Sequence, residues 1–294
     1  MNPLLGYDAS FFDSSRRHRS KASGTVAVAG GGTAGITAAV RAAELGYAVR
    51  LFEQKNRLGG LLNTARAEPF KQEICGYLEY LLDQLAGTGV EVVLETPVEY
   101  DLVQRERPDI LIDATGSQPV MPDIPPDLAY RVLSVRDLLL DVDEYRSSRR
   151  AVILGGGSSG CEAALVLRGC GVQVTVIEQA SRILQDLEPV SALSLRRLLA
   201  QTDIAIHTDT RFLRLEPDGV ITDRQDRPTT GDLVVVALGG RSNSTLKSCL
   251  DSDHWRYGAN YLPVGDAHRV GRIYEAVHDS YWRASSLLDT MRPQ

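Results

Sequence analysis

The chain has 294 residues, 43% of them hydrophobic and 24% charged, with a formal net charge of -6. That length exceeds one typical domain, so two domains of roughly 100 to 200 residues each are expected. The acidic balance gives no field for nucleic acid or an anionic membrane. No apolar run approaches the ~20 residues of a membrane span, and the amino end lacks the order of a secretory signal. A cytoplasmic protein is expected.

The amino end carries one basic run, SSRRHRSK at Ser14 to Lys21, which reads as a solvated arm. From Thr25 the text is TVAVAGGGTAGITAAVRAAELGYAVRLFEQ. Apolar Val26 to Ala29 predict a buried strand, a glycine turn follows, and Ile36, Val40, Ala43 and Leu45 recur at helical spacing. Gly46 ends that helix and AVRLFE is a second strand. Such a β-turn-α-β unit sets a diphosphate over a helix amino end, where free N–H groups and the helix dipole favour negative charge. Gly30 serves the tight turn, Gly32 the approach of the phosphate, and Gly35 the close packing of helix and strand. Glu53, ending the second strand, is placed to accept hydrogen bonds from ribose hydroxyls.

From Arg150 the unit repeats as RAVILGGGSSGCEAALVLRGCGVQVTVIEQ. Gly155, Gly157 and Gly160 form the turn, Gly171 the helix exit and Glu178 the acid, in the register of the first copy. Two copies in strand-turn-helix context argue against accident. Each is followed by an apolar strand ending in small residues, DILIDATG and DLVVVALGG. Strands without polar alternation are buried on both faces, as in a parallel sheet covered by helices. The expected fold is α/β, with two Rossmann-like, doubly wound parallel sheets, the second domain inserted in the first. The proline-rich SQPVMPDIPPD and the later GRSNSTL read as the crossings, giving a first domain of residues 1–117 plus 241–294 and a second of residues 118–240.

Cys75, Cys161, Cys170 and Cys249 are far apart, with no C-x-x-C and no metal-ligand spacing. They are expected to be reduced, with no disulfide relay. Cys161 stands just after the second turn, where a helix amino end lowers a thiol pKa, although a packing role is the better reading. His207, His254 and His278 show no metal or triad spacing. His268 stands two residues after Asp266, and HWRY at His254 to Tyr257 reads as a partner contact or an aromatic packing loop.

The two glycine turns, the ATG and ALGGRSN crossings and a VGDA turn together resemble the two-dinucleotide-binding-domain flavoproteins. The resemblance implies FAD on the first turn, NAD(P)H on the second, and Asp266 on the ribityl chain of the flavin. RLGGLLNTARAEPFKQEI, Arg57 to Ile74, is similar to the carboxy-terminal half of 2,4-dienoyl-CoA reductase, trimethylamine dehydrogenase and enoate reductases. Leu58, Gly59, Gly60, Ala67, Pro69, Lys71 and Glu73 carry that pattern, and Gly60 is expected to approach the flavin. Asn2, Pro3 and Gly6 look like the stretch that follows the iron-sulfur segment in that family. The old-yellow-enzyme barrel, its FMN site and the [4Fe-4S] ligands have no counterpart in this sequence. The resemblance therefore implies a separate FMN and iron-sulfur partner subunit, with a reductase module that serves a new acceptor as the rival reading.

Hydride transfer between nicotinamide and flavin needs no side-chain acid or base, so no catalytic residue is expected and the site residues are binders. Glu178 favours NADH over NADPH, since a carboxylate repels a 2′-phosphate. Arg182 partly offsets that repulsion. The rival to a redox subunit is a structural subunit holding ADP or FAD, against which the presence of Asp266 speaks. A self-contained oxidase finds few residues left over for a substrate pocket.

Overall fold

The computed structural model describes residues 24–68, 71–251 and 260–290, together with Pro3. Asn2, Gly6, the basic run at Ser14 to Lys21, Pro69 and the HWRY stretch lie outside the described residues. In chain order the elements begin with β1 (Thr25–Ala29), α1 (Thr33–Glu44), β2 (Ala48–Phe52), α2 (Gln72–Ala86), β3 (Glu91–Val93), α3 (Tyr100–Glu106) and β4 (Ile110–Asp113). There follow β5 (Ser117–Pro119), β6 (Val132–Ser134), α4 (Val135–Leu140), β7 (Arg150–Leu154), α5 (Ser158–Gly169), β8 (Gln173–Ile177), α6 (Pro189–Ala200) and β9 (Ala205–His207). The remainder is β10 (Phe212–Glu216), β11 (Gly219–Thr222), β12 (Gln225–Thr230), β13 (Leu233–Val236), β14 (Gly240–Ser242), α7 (Thr245–Asp251), β15 (Tyr261–Pro263) and α8 (Ile273–Thr290).

The contacts divide the chain into two compact units, one of Met1–Asn63, Glu73–Gln118 and Arg241–Gln294, the other of Thr64–Gln72 and Pro119–Gly240. The segment Thr64–Gln72, expected with the first domain, goes with the second unit because Ala67 packs on that unit's core and Lys71 pairs with Glu162.

The first unit holds a five-stranded parallel sheet in the order β15-β4-β1-β2-β3. Val26, Val28, Ile110 and Ile112 are almost wholly buried, as uninterrupted apolar strands require. Small residues on α1 let α8 pack closely against it, and Arg41 Nε donates to Ser285 Oγ at 2.8 Å while Tyr47 donates to the Leu288 carbonyl at 2.7 Å. The second unit has a five-stranded parallel sheet in the order β6-β13-β7-β8-β9, plus the antiparallel sheet β10-β11-β12. In each parallel sheet the chain runs outward in one direction from the first strand of the repeat, then returns to its other side. That reversal opens a crevice at the carboxyl ends of β1 and β7, which is where open α/β sheets take ligands. No helix among the described residues is long and apolar enough to cross a membrane.

Arg131, only 8% exposed, donates to the carbonyls of Pro217 and Gly231 and so secures the antiparallel sheet within its unit. Charged hydrogen bonds contribute about 1.5–3 kcal/mol each. Arg131→Met is expected to lower stability by roughly 2–4 kcal/mol, read as a lower urea midpoint.

Candidate functional site

Both glycine turns have the same backbone construction. Gly30 has φ +105° and Gly155 φ +109°, conformations that L side chains rarely adopt. A Cβ on Gly35 would lie 1.8 Å from the Gly30 carbonyl oxygen, and one on Gly160 would lie 2.0 Å from that of Gly155. Only glycine lets the first turn of α1 or α5 press so closely on the strand that precedes it. Gly32 and Gly157 are the N-cap residues and bring no capping side chain of their own.

The two acids reach back onto the turns. Glu53 is buried, and its Oε2 accepts from the Gly31 N–H at 2.8 Å while Oε1 accepts from the Lys55 N–H at 2.8 Å. Glu178 repeats this on the Gly156 N–H at 2.6 Å and the Ala180 N–H at 2.7 Å. Two backbone donors fix each carboxylate in place and leave it further lone pairs. Both acids thus stand beside their own turn.

The chain after each acid folds over the turn in the same way. The Gly59 N–H donates to the Gly31 carbonyl at 2.8 Å, and the Leu184 N–H donates to that of Gly156 at 2.8 Å. In the first unit this brings Gly60 against Gly32, where a Cβ on Gly60 would lie 2.9 Å from the Gly32 Cα. Asp186 is the difference in the second unit. Its two oxygens accept from the Ser158 N–H at 3.0 Å each, and Oδ2 also accepts from Ser158 Oγ at 2.6 Å. A cleft of about 590 Å³ beside this turn is lined by Gly155, Gly157, Glu178, Thr210, Arg211 and Phe212 among others.

Asp266 lies in a 3-10 turn, Gly265–Ala267, between β15 and α8. Gly265 has φ +57°, and a Cβ there would lie 2.5 Å from the Ala34 Cβ, so this turn sits against the amino end of α1. Asp266 accepts from Ser117 Oγ at 2.8 Å and from the Gly271 N–H at 3.0 Å. Gly30, Gly32, Gly35, Glu53, Gly60 and Asp266 therefore all belong to the first unit, and Gly155, Gly157, Gly160 and Glu178 to the second.

Several supporting residues escape a reading of the sequence. Asp279 on α8 holds the Asp266 turn by accepting the Gly265 N–H at 2.8 Å, and its other oxygen meets His268 Nδ1 at 3.1 Å. Asp113, fully buried at the end of β4, accepts from the Thr115 N–H and Oγ and from Tyr261 OH. Burial, then the Asp113 charge, raises the Tyr261 pKa and keeps that hydroxyl a donor. Cys161 is fully buried, and burial together with nearby carboxylates pushes its thiol up to about 12, so it is a packing residue.

In the second unit a charged cluster joins buried Glu68 and Glu162 to half-buried Lys71. Lys71 Nζ lies 3.0 Å from Glu68 Oε2 and 2.7 Å from Glu162 Oε2. Burial acts to lower the lysine pKa, but Glu162 and Glu68 outweigh it and hold the ammonium charged. One cation cannot balance two buried carboxylates, and burial, then the Glu162 charge, raises Glu68 to about 7. Lys71 belongs to the resemblance pattern without an assigned role, and no motif in the sequence marks Glu162 as its partner. A buried carboxyl with a raised pKa stabilises the fold in its neutral form, so its contribution is full at acid pH and is lost as pH rises through about 7. Glu68→Gln is expected to flatten that pH dependence and to gain on the order of 2 kcal/mol over the native chain near pH 8, measured by urea unfolding at a series of pH values.

Comparison with known proteins places this geometry. The chain matches the family model described as pyridine nucleotide-disulphide oxidoreductase over residues 24–270. It is 32% identical over 288 residues to an NADH oxidase of Thermoanaerobacter brockii, covering 96% of this chain and 43% of that protein. A bilirubin reductase of Mediterraneibacter gnavus is 30% identical over 265 residues, covering 89% of this chain and 40% of the relative. Among solved structures, a 2-naphthoyl-CoA reductase complex superposes with a TM-score of 0.82 at 26% identity, over 96% of this chain and 42% of that one. The chain thus spans less than half the length of these relatives. By the extent of the family match, the chain belongs to the pyridine nucleotide-disulphide oxidoreductases, a family that binds FAD and uses NAD(P)H.

Proposed function

We propose that the first unit holds FAD, the second holds NADH or NADPH, and the chain is the reductase part of a larger enzyme. The observation that carries this reading is the Asp266 turn packed against the amino end of α1. A carboxylate at that point, beyond the diphosphate position, suits the hydroxyls of a ribityl chain, and the second unit offers no such turn among its described residues. This favours FAD on the first turn over ADP, which has no ribityl chain.

The residues present fit these groups. The Gly32 N-cap leaves open room, since among the described residues the nearest atom to a Cβ built there is the Gly60 Cα at 3.8 Å. The helix N–H groups of α1 would bind the diphosphate, Glu53 a ribose hydroxyl, and Gly60 would border the cofactor without a side chain in its way. Glu178, held by two backbone donors, would accept from the ribose of the nicotinamide dinucleotide and disfavour a 2′-phosphate. FAD, when bound, supplies a hydride acceptor that can release its electrons singly. The chain's own residues bind and orient, and none is required to move a proton.

The resemblance in the sequence further supports onward transfer to an FMN and [4Fe-4S] partner of the old-yellow-enzyme type. Its presence is tested by offering such a protein to the NADH-reduced chain and following reoxidation of the flavin without air.

The decisive experiment is a visible spectrum of the purified protein, with NADH and NADPH then added anaerobically. A flavin spectrum that bleaches, more readily with NADH, is expected. A colourless protein that takes up no FAD and releases ADP on denaturation would instead leave a structural nucleotide-binding subunit. Asp266→Ala is expected to weaken FAD binding roughly tenfold, the scale of one or two hydrogen bonds, and to leave ADP binding unchanged. Equal loss of both ligands would remove the ribityl role from Asp266.

A further inference from the structure

The two glycine turns differ at one functional point. Their φ angles, their close glycine contacts, their acid clamps and the loops that return over them agree. The carbonyl that receives the Gly59 N–H in one unit corresponds to the one that receives the Leu184 N–H in the other. Both loop residues have positive φ, +111° at Gly59 and +60° at Leu184. Leu184 accepts this conformation with its side chain buried, so the loop is anchored firmly where it crosses the turn. Two residues later the first unit presents Leu61, whereas the second presents Asp186.

All three atoms of the Asp186 carboxyl group lie 3.5–3.6 Å from where a Cβ on Gly157 would be. This is the space that Gly32 leaves open in the first unit. The carboxylate also holds both the N–H and the hydroxyl of Ser158, the first residue of α5. Those donors are the ones that a diphosphate entering over the turn needs. Two anions cannot share them without strong repulsion.

We infer that Asp186 is a resident competitor for the diphosphate of the dinucleotide at the second turn. The inference rests on the reading of that turn as the NAD(P)H site. Asp186 is exposed on the protein surface, so its carboxylate can swing into solvent and release Ser158. The dinucleotide seats by displacing it, and each binding event pays for that exchange in affinity. The native chain therefore binds NADH more weakly than its glycine turn alone would allow. Ligands without a diphosphate, such as adenosine, do not meet the competition. Asp186 is thus a specificity-determining residue that acts on one part of the ligand only.

The test measures binding of NADH, ADP-ribose and adenosine by anaerobic calorimetry to the FAD-loaded protein with its flavin already reduced, so that NADH binds without transferring hydride, comparing the native chain with Asp186→Asn and Asp186→Ala. Asparagine retains an oxygen that can cap α5 without the charge, which guards against a loss of fold. NADH and ADP-ribose are expected to bind roughly tenfold more tightly to both variants, the scale of a charge-assisted hydrogen bond, with adenosine unchanged. If the native chain binds NADH and ADP-ribose as tightly as the variants, Asp186 is only a helix cap, and the inference fails while the nucleotide site stands. Tightening of adenosine to the same degree would also overturn it, since the effect would not lie at the diphosphate. If no form of the protein binds ADP-ribose, both the inference and the second-site reading fall.

Discussion

The first N–H groups of an α-helix have no partner within the helix and must find one elsewhere. Much of this molecule is built around that constraint, met twice. At α1 and α5 the N-cap is a glycine that can offer no side chain, and a second glycine three residues on brings the helix start against the strand before it. A helix start held this close to the carboxyl end of a central strand offers free N–H donors and the positive end of the helix dipole. The strand order around β1 and β7 then opens a crevice beside each one.

The two units meet the same constraint differently. In the first, backbone from Gly59 and Gly60 borders the helix start and, among the described residues, no carboxylate lies over Gly32. In the second, Asp186 satisfies Ser158 from within the chain. A fold can thus repeat its backbone closely while one side chain changes the electrostatics of the copy. Elsewhere, acidic residues serve as braces. Glu53, Glu178 and Asp279 each accept a backbone N–H of a glycine at a turn, and each so fixes a segment that has no side chain to anchor it.

Glu68, Lys71 and Glu162 show a second use of charge. Burying an ion pair costs desolvation that the attraction only partly returns, and a third charged group makes the imbalance worse. The cluster answers by keeping one carboxyl neutral more readily than usual, which leaves Lys71 and Glu162 as a balanced pair. The same contact ties the segment Thr64–Gln72 to α5 and explains why this segment keeps company with the second unit.

The sequence by itself determined the α/β class and the doubled glycine unit, because hydrophobic period and glycine spacing are local properties of the chain. Gly30, Gly35, Gly155 and Gly160 were legible for that reason: each is required by a turn or contact formed by its near neighbours. The roles of Asp186, Asp279, Asp113 and Lys71 were decided only by the tertiary structure. Each acts on a group distant in sequence, as Asp186 does on Ser158 and Lys71 on Glu162, and no spacing rule connects such pairs. Glu53 and Glu178 lie between these cases: their positions at strand ends were legible, but their hydrogen bonds to Gly31 and Gly156 depend on how the strand end meets the turn. Local pattern sets the backbone of each glycine turn, and only folding brings in the carboxylates that stand beside it.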